Sequence, residues 1–192
     1  MSIQLYDFED GLGFVPAHQH KNPDGSVGGW VAETAWVDST AYVGENTKVY
    51  GHAQVFGKAL IYGNAKVYGK ALICGNAQIY SQVQVYGQAQ VFGQARVYDY
   101  AYIHDQVQIS NNVHINKKMR LNHITKIESH NDIIYGEMKF NDNLYPYTIY
   151  QDVENVIWIW FIGPCQTLEE WKSYKSVFPI YQQFVKFLNS VN

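Results

Sequence analysis

Seven histidines and two cysteines are the side chains of this 192-residue chain best suited to metal binding or proton transfer. His18 and His20, in the sequence HQH, could hold a zinc ion only if a third ligand came from elsewhere in the fold. Cys74 and Cys165 do not form a CxxC metal or redox pattern. No phosphate-binding loop, dinucleotide fingerprint or Ser-His-Asp grouping is present in the sequence. These observations predict a protein with no metal site, no cofactor and no catalytic residue.

A six-residue repeat dominates the chain after residue 30. Starting at Val31, every sixth residue through Ile109 is Val or Ile, fourteen times in succession, and the fifth position of these hexads is Ala ten times. Runs such as Ala53-Gln54-Val55-Phe56 alternate with period two, which indicates a short strand with one buried face. The Gly that often follows suits a corner. The repeat therefore predicts short strands and regular corners that wind the chain into stacked coils.

The spacing of an aliphatic residue and a small residue four positions later resembles the hexapeptide-repeat superfamily. That resemblance implies a left-handed parallel β-helix with three sides and about eighteen residues per coil, so that residues 31–116 would form about five coils. Gly28, Gly29 and Trp30 before the first Val, and the segment IGPCQTLEEW, are similar to phage- and prophage-encoded members. Pro164 departs from their tails.

The segments on either side of the repeat differ from it in composition. Residues 1–30 form a predicted lead-in and cap, with turns at Pro-Asp-Gly and at Gly-Gly. Residues 117–192 form a predicted small α+β module with a hairpin turn at 141–143, a strand in NVIWIWFIG and a capping box at Thr167. A second predicted helix carries an apolar stripe of Tyr181, Phe184, Val185 and Leu188. We expect this module mainly to cap the open strand edges of the β-helix, and recognition of a partner is the compatible alternative role.

Aromatic side chains at the second hexad position should stack into outward columns, one residue per coil. The predicted columns are Tyr50, Tyr68, Tyr86 and His104; Tyr62, Tyr80 and Tyr98; and Phe56, Cys74 and Phe92. Such rings could simply stack on one another and stiffen the coils. They could also form a binding surface, because exposed aromatic residues are enriched at protein interfaces. We predict a binding surface, with a homo-oligomer (dimer or trimer) as its first use.

Charge and hydropathy limit the other partners. The chain has 14 basic and 17 acidic residues, a net charge of −3, and its repeat shows no basic patch for phosphate groups. We expect no nucleic-acid partner. The N-terminus lacks the pattern of a signal peptide, and the longest apolar run, VIWIWFI, is too short to span a bilayer. The sequence thus predicts a cytoplasmic protein without a membrane partner.

These features favour a non-catalytic protein-binding scaffold. The resemblance to phage proteins extends this hypothesis to an accessory protein, in the cytoplasm of a host, that binds and inhibits a host protein or defence complex. An acyltransferase of the hexapeptide-repeat class, with His52 or His104 in a site between subunits, is the first alternative. The transferases it resembles project a long loop from one coil, which this repeat lacks, and the H-x-x-x-x-H spacing of the related carbonic anhydrases is absent too. Small-molecule binding at subunit junctions is the second alternative.

Overall fold

The computed structural model describes residues 4–115, 120–121, 126–129, 132–140, 143–151, 157–161, 166–167, 169–170, 182 and 185–186. These residues belong to two compact units, Met1–His130 and Asn131–Asn192. The first is a parallel β-solenoid preceded by an antiparallel hairpin, and the second contains an antiparallel sheet.

The N-terminal segment, predicted as a lead-in and cap with two turns, is mostly strand. Strands β1 (Gln4–Asp7), β2 (Phe14–Lys21) and β3 (Val27–Ala32) pair in antiparallel order. The turn predicted at Pro-Asp-Gly is confirmed, with the Gly25 N–H donating to the Asn22 carbonyl at 2.9 Å. The turn predicted at Gly28 and Gly29 is wrong, because both lie buried inside β3. A Cβ at either position would overlap a backbone carbonyl of the next coil segment, so these glycines permit close approach of two backbones.

Three parallel sheets, which we name walls A, B and C, form the sides of the solenoid. Wall A contains β3, β6 (Lys48–Val49), β9 (Lys66–Val67), β12 (Gln84–Val85), β15 (Tyr102–Ile103) and β18 (Arg120–Leu121). Wall B contains β4 (Trp36–Val37), β7 (Gln54–Val55), β10 (Leu72–Ile73), β13 (Gln90–Val91), β16 (Gln108–Ile109) and β19 (Lys126–Ile127). Wall C contains β5 (Tyr42–Val43), β8 (Leu60–Ile61), β11 (Gln78–Ile79), β14 (Arg96–Val97) and β17 (His114–Ile115).

Strand pairing confirms the predicted stacking of coils. Ile73 pairs in parallel with Val55 on one side and Val91 on the other, each eighteen residues away. Six residues therefore make one side, and three sides make one coil. The regular strands are two residues long, shorter than the predicted four, and the corner occupies the third and fourth hexad positions. The neighbouring backbone groups still bond between coils, as where the Trp36 N–H donates to the Ala53 carbonyl at 2.9 Å.

The core is the narrow interior of this tube. From residue 41 to residue 115, every residue at the first and fifth hexad positions is buried. Val49, Ile61 and Ile73 are examples with no exposed surface. Burying one Val or Ile side chain stabilises a fold by about 1.5–3 kcal/mol, so the stacked column of aliphatic residues is the main source of stability.

Left-handed backbone at the third hexad position makes the corners. Gly69 has φ of 70°, and a Cβ there would lie 2.9 Å from the Gly87 nitrogen, too close for a side chain. Corners also form without Gly: Ser81, Asp99 and Asn111 have φ of 65°, 63° and 57°. The corner conformation is thus imposed by the coil, and Gly only lowers its cost.

The solenoid extends beyond its predicted end at residue 116. Leu121 pairs with Ile103 and Ile127 pairs with Ile109, and both are buried like their partners. They continue the six-residue spacing from Ile115, with Leu accepted at the first position. The boundary between the units falls after His130.

The described part of the second unit is a four-stranded sheet. The predicted hairpin is confirmed as β20 (Ile133–Phe140) and β21 (Asn143–Gln151), which are antiparallel. The predicted apolar strand is β22 (Ile157–Phe161), paired with β21 and with β23 (Gln166–Thr167).

The predicted capping box follows this sheet and is confirmed. The Glu170 N–H donates to Thr167 Oγ1 at 3.1 Å, and the Thr167 N–H donates to Glu170 Oε2 at 2.8 Å. Residues 169–170, 182 and 185–186 are helical. Tyr181, Phe184 and Leu188 of the predicted stripe lie outside the described residues.

Candidate binding surface

Column A is a continuous stack of rings along the edge that follows wall A. Its members are Phe8, Tyr50, Tyr68, Tyr86 and His104. The ring centroids of successive members are 4.9, 4.9, 4.8 and 4.9 Å apart. The spacing follows from the coils, because parallel strands lie about 4.8 Å apart and place equivalent side chains in register. Tyr50, Tyr68, Tyr86 and His104 were expected from the sequence to share a column, and Phe8 was not.

The N-terminal hairpin covers the first part of column A. Phe8 is buried against Tyr50, which is only 7% exposed. Tyr6 stacks on Trp30 with their centroids 4.5 Å apart. The Glu9 carboxylate accepts a hydrogen bond from Lys48 Nζ at 2.9 Å, and this contact lowers the pKa of Glu9. Tyr50 is therefore not the exposed binding residue that its outward position predicted.

Burial also changes the chemistry of the tyrosines in column A. It raises the pKa of Tyr50 well above its usual value, and it raises the pKa of Tyr68 from 10.0 to about 12. Tyr68 additionally donates its hydroxyl hydrogen to Gln84 Oε1 at 3.1 Å. Both phenols are protonated at neutral pH, with the Tyr50 ring buried and the Tyr68 ring half-buried.

Column C consists of Tyr62, Tyr80 and Tyr98, on the edge that follows wall C. Successive centroids are 5.0 Å apart, and successive ring planes differ by only 2° and 1°. Tyr62 and its neighbour Leu60 are each 37% exposed, and the nearby Tyr100 is 48% exposed. Tyr80 and Tyr98 are half-buried, like Tyr68 and Tyr86 of column A, so column C is a regular row of rings of which Tyr62 is the exposed one.

Column B consists of Phe56, Cys74 and Phe92, on the edge that follows wall B. All three are half-buried, and Cys74 separates the two aromatic rings. Burial raises the pKa of the Cys74 thiol, which disfavours the reactive thiolate. Cys74 therefore serves as a small apolar spacer in this column.

The two histidines of the HQH sequence have different surroundings. His18 is exposed, with Nδ1 2.7 Å from the Glu33 carboxylate. His20 is buried, with Nε2 3.0 Å from the Ala41 carbonyl oxygen, and this burial lowers the pKa of His20. An irregularity between Gln19 and Lys21, in the pairing of β2 with β3, separates the environments of the two rings. Within the described residues, no three His, Cys, Asp or Glu side chains are grouped closely enough to hold a metal ion.

The three histidines of the repeat lie on different parts of the solenoid. His52 is exposed at a corner. His104 ends column A, with Nδ1 3.2 Å from the Asp105 carboxylate. His114 lies on wall C beside an open polar groove lined by Asn76, Gln78, Gln94, Arg96, Asn112 and His114. The structure does not bring these histidines together.

No protein-family model matches the chain, and neither a curated protein nor a solved structure matches it. The assignment of the fold therefore depends on the geometry of the structure alone. That geometry is a three-walled parallel solenoid, which is consistent with a hexapeptide-repeat β-helix. In the part of the chain that the structure describes, no helix has the length and hydropathy needed to cross a bilayer.

Proposed function

We propose that this protein is a non-catalytic binding scaffold that associates, with itself or with a partner protein, through column C. The observation that carries the proposal is the row of parallel tyrosine rings formed by Tyr62, Tyr80 and Tyr98, beside the exposed Leu60. Tyrosine supplies a large contact area at a small cost in conformational entropy and is common in the core of interfaces.

Rigidity supports this use of column C. Each coil beneath the rings is bonded to the next, with the Tyr62 N–H donating to the Ile79 carbonyl at 2.9 Å and the Tyr80 N–H to the Val97 carbonyl at 3.0 Å. A surface that is already ordered loses little entropy on binding. The flat row therefore favours a partner with an extended, complementary apolar face, and a second copy of the chain offers one.

The resemblance of the lead-in and tail to phage proteins motivates a more specific partner. We propose a host protein, such as a component of a defence complex, that is inhibited because the scaffold occupies its working surface. A rigid prism suits this role because it can block a surface sterically without any reaction.

Site-specific photocrosslinking tests the scaffold. A photoreactive phenylalanine analogue at Tyr80 should crosslink to a second copy or to one defined host protein, and the same analogue at Gln90 on wall B should not. In parallel, the triple variant Y62S/Y80S/Y98S should lose self-association in sedimentation equilibrium while keeping its circular dichroism spectrum. Equal crosslinking at both positions, or unchanged association of the triple variant, would refute the use of column C.

The acyltransferase alternative has one supporting observation. His104 Nδ1 lies 3.2 Å from Asp105 Oδ1, and a carboxylate beside one ring nitrogen can orient a histidine that acts as a general base. Turnover of acetyl-coenzyme A that disappears in His104→Ala would establish this function. If the protein is a non-catalytic scaffold, the His104→Ala variant should retain the crosslinks formed from position 80.

A further inference from the structure

At the N-terminal end of the solenoid, the first strand of each wall has no preceding coil in front of it. On wall B, the Trp36 N–H and the Asp38 N–H both donate toward the second coil, at 2.9 and 2.8 Å. Because donors alternate in direction along a parallel strand, the Val37 N–H and the carbonyls of Ala35 and Val37 face away from the second coil. The free edge therefore offers one donor and two acceptors to whatever lies in front of it.

The equivalent edges of the other two walls are covered by the chain itself. Strand β2 pairs with β3 at the edge of wall A. On wall C, Asn22 Oδ1 accepts the Val43 N–H at 2.8 Å, and Asn22 Nδ2 donates to the Val43 carbonyl at 3.2 Å. The His20 ring completes this cap at the Ala41 carbonyl, 3.0 Å away. One donor and two acceptors are thus satisfied by side chains.

Wall B lacks such a cap within residues 4–115, where β7 is the one strand paired with β4. Ala35 and Val37 are half-exposed, although residues at these hexad positions are otherwise buried from residue 41 to residue 115. Trp36, between them, is 60% exposed on the outer face. An unsatisfied backbone edge and exposed interior side chains therefore occur together at this place.

Acidic residues predominate in the chain segment that carries this edge. Residues 4–47 contain seven acidic side chains and a single basic one, Lys21, and Lys48, which follows directly, binds Glu9. The acidic residues are Asp7, Glu9, Asp10, Asp24, Glu33, Asp38 and Glu45. Glu33 and Asp38 stand on either side of the edge along the chain, and Glu33 Oε1 also lies 2.7 Å from His18 Nδ1. Hydrogen bonds from the Thr40 backbone and hydroxyl lower the pKa of Asp38, so its carboxylate is charged at neutral pH.

We propose that the wall B edge binds an extended, basic segment of a partner protein, which adds a strand in front of β4. Two N–H groups of the segment donate to the Ala35 and Val37 carbonyls, and one of its carbonyls accepts the Val37 N–H. An apolar side chain of the segment covers Ala35 and Val37, and basic side chains meet Glu33 and Asp38. Strand addition of this kind derives affinity from main-chain bonds and specificity from alternate side chains. The site is separate from column C and does not depend on it.

The test uses the full-length, ¹⁵N-labelled protein and the synthetic peptide Lys-Thr-Val-Thr-Val-Thr-Lys. Hydrogen exchange of the Val37 amide should slow by about tenfold when free peptide is about ten times its dissociation constant. The Val43 amide, already bonded to Asn22, should keep its exchange rate. A peptide with alternate amides N-methylated should not protect Val37, and one with Glu in place of both Lys residues should bind at least about tenfold more weakly.

Three outcomes would overturn the proposal. Slow exchange of the Val37 amide without peptide would mean that the chain covers its own edge. Protection of Val37 that rises with protein concentration alone would make a second copy the occupant. The third outcome is a Val37 amide that stays unprotected with about 1 mM peptide. Asp38→Asn should keep the fold and weaken binding of the Lys-flanked peptide, whereas Tyr80→Ala should leave peptide binding unchanged. Failure of this site and failure of column C are therefore distinguishable.

Discussion

Asn22 replaces a missing strand by holding both backbone groups of Val43, which lies twenty-one residues further along the chain. Its Oδ1 accepts the Val43 N–H at 2.8 Å, and its Nδ2 donates to the Val43 carbonyl at 3.2 Å. The Asn22 side chain also donates to Ser26 Oγ at 3.1 Å, which fixes the turn that carries it. One primary amide thus terminates wall C as a neighbouring coil would.

Removing this amide should destabilise the solenoid. Asn22→Ala leaves the Val43 N–H and carbonyl buried without partners, and we expect the free energy of unfolding to fall by about 2–3 kcal/mol. Urea denaturation measures the change. Asn46→Ala, at an exposed position of the same coil, should change it by less than about 0.5 kcal/mol. Equal effects of the two substitutions would contradict the role of Asn22.

Gly should stabilise a corner that now carries a side chain. Ser81 has φ of 65°, so Ser81→Gly relieves a left-handed conformation and should stabilise the protein by about 0.5–1 kcal/mol. Ser39 occupies the same hexad position without a positive φ. Ser39→Gly should therefore give no gain, since it only increases the freedom of the unfolded chain. Thermal denaturation of both variants shows whether Gly stabilises only the corner with a positive φ. Stabilisation by Ser39→Gly would contradict relief of the left-handed backbone as the cause.

Stability should fall at high pH because of Tyr68. Its pKa is 10.0 without burial and about 12 in the fold. Below pH 10 both states keep the proton, and the stabilisation is fully present. Between pH 10 and about 12 the unfolded chain loses this proton and the fold retains it, so the free energy of unfolding decreases as pH rises.

Urea midpoints measured across this pH range check the effect of Tyr68. Tyr68→Phe should have a shallower decline than the unmodified protein, because it lacks the titrating hydroxyl. Gln84→Ala removes the hydrogen-bond partner of Tyr68 but leaves the burial, and should retain most of the decline. An unchanged slope in Tyr68→Phe would show that burial of this ring has no energetic link to pH.

The close packing of β3 should make Gly29 intolerant of any side chain. A Cβ there would overlap the carbonyl oxygens of Gly44 and Thr47, so we expect Gly29→Ala to cost about 3 kcal/mol. Gly25 has φ of 85° but nothing within 4 Å of its Cβ position. Gly25→Ala should therefore cost only about 1 kcal/mol of backbone strain. A similar loss for both variants in urea denaturation would mean that strain, and not overlap, limits Gly29.

The repeat was predictable because the residues of each hexad are enough to specify one short strand and one corner. Each Val or Ile at a sixth position marks one side of the solenoid, and a similar corner follows in every hexad. The register of eighteen residues then places Tyr62, Tyr80 and Tyr98 in one column without further information. The end of the solenoid was missed because Leu121 continued the spacing with another residue type.

The N-terminal contacts were not predictable from the pattern. Phe8 covers Tyr50, and His20 caps Ala41, but neither belongs to any periodic series. Such contacts join side chains to backbone groups or rings that are distant in the sequence. The two residues of each contact meet only when the hairpin lies against wall A. The exposure of Tyr50 was therefore misjudged, although its column was correct.

The sequence by itself determined that this protein is a stack of six-residue sides, because hydrophobic spacing and corner conformation are properties of short segments. Only the tertiary structure decided which surfaces of that stack remain available. Among the described residues, it buried Tyr50 under Phe8, left Tyr62 exposed, and covered the first strands of walls A and C but not β4 of wall B. These differences arise at the ends of the repeat, where a coil has no identical neighbour and other parts of the chain must take its place.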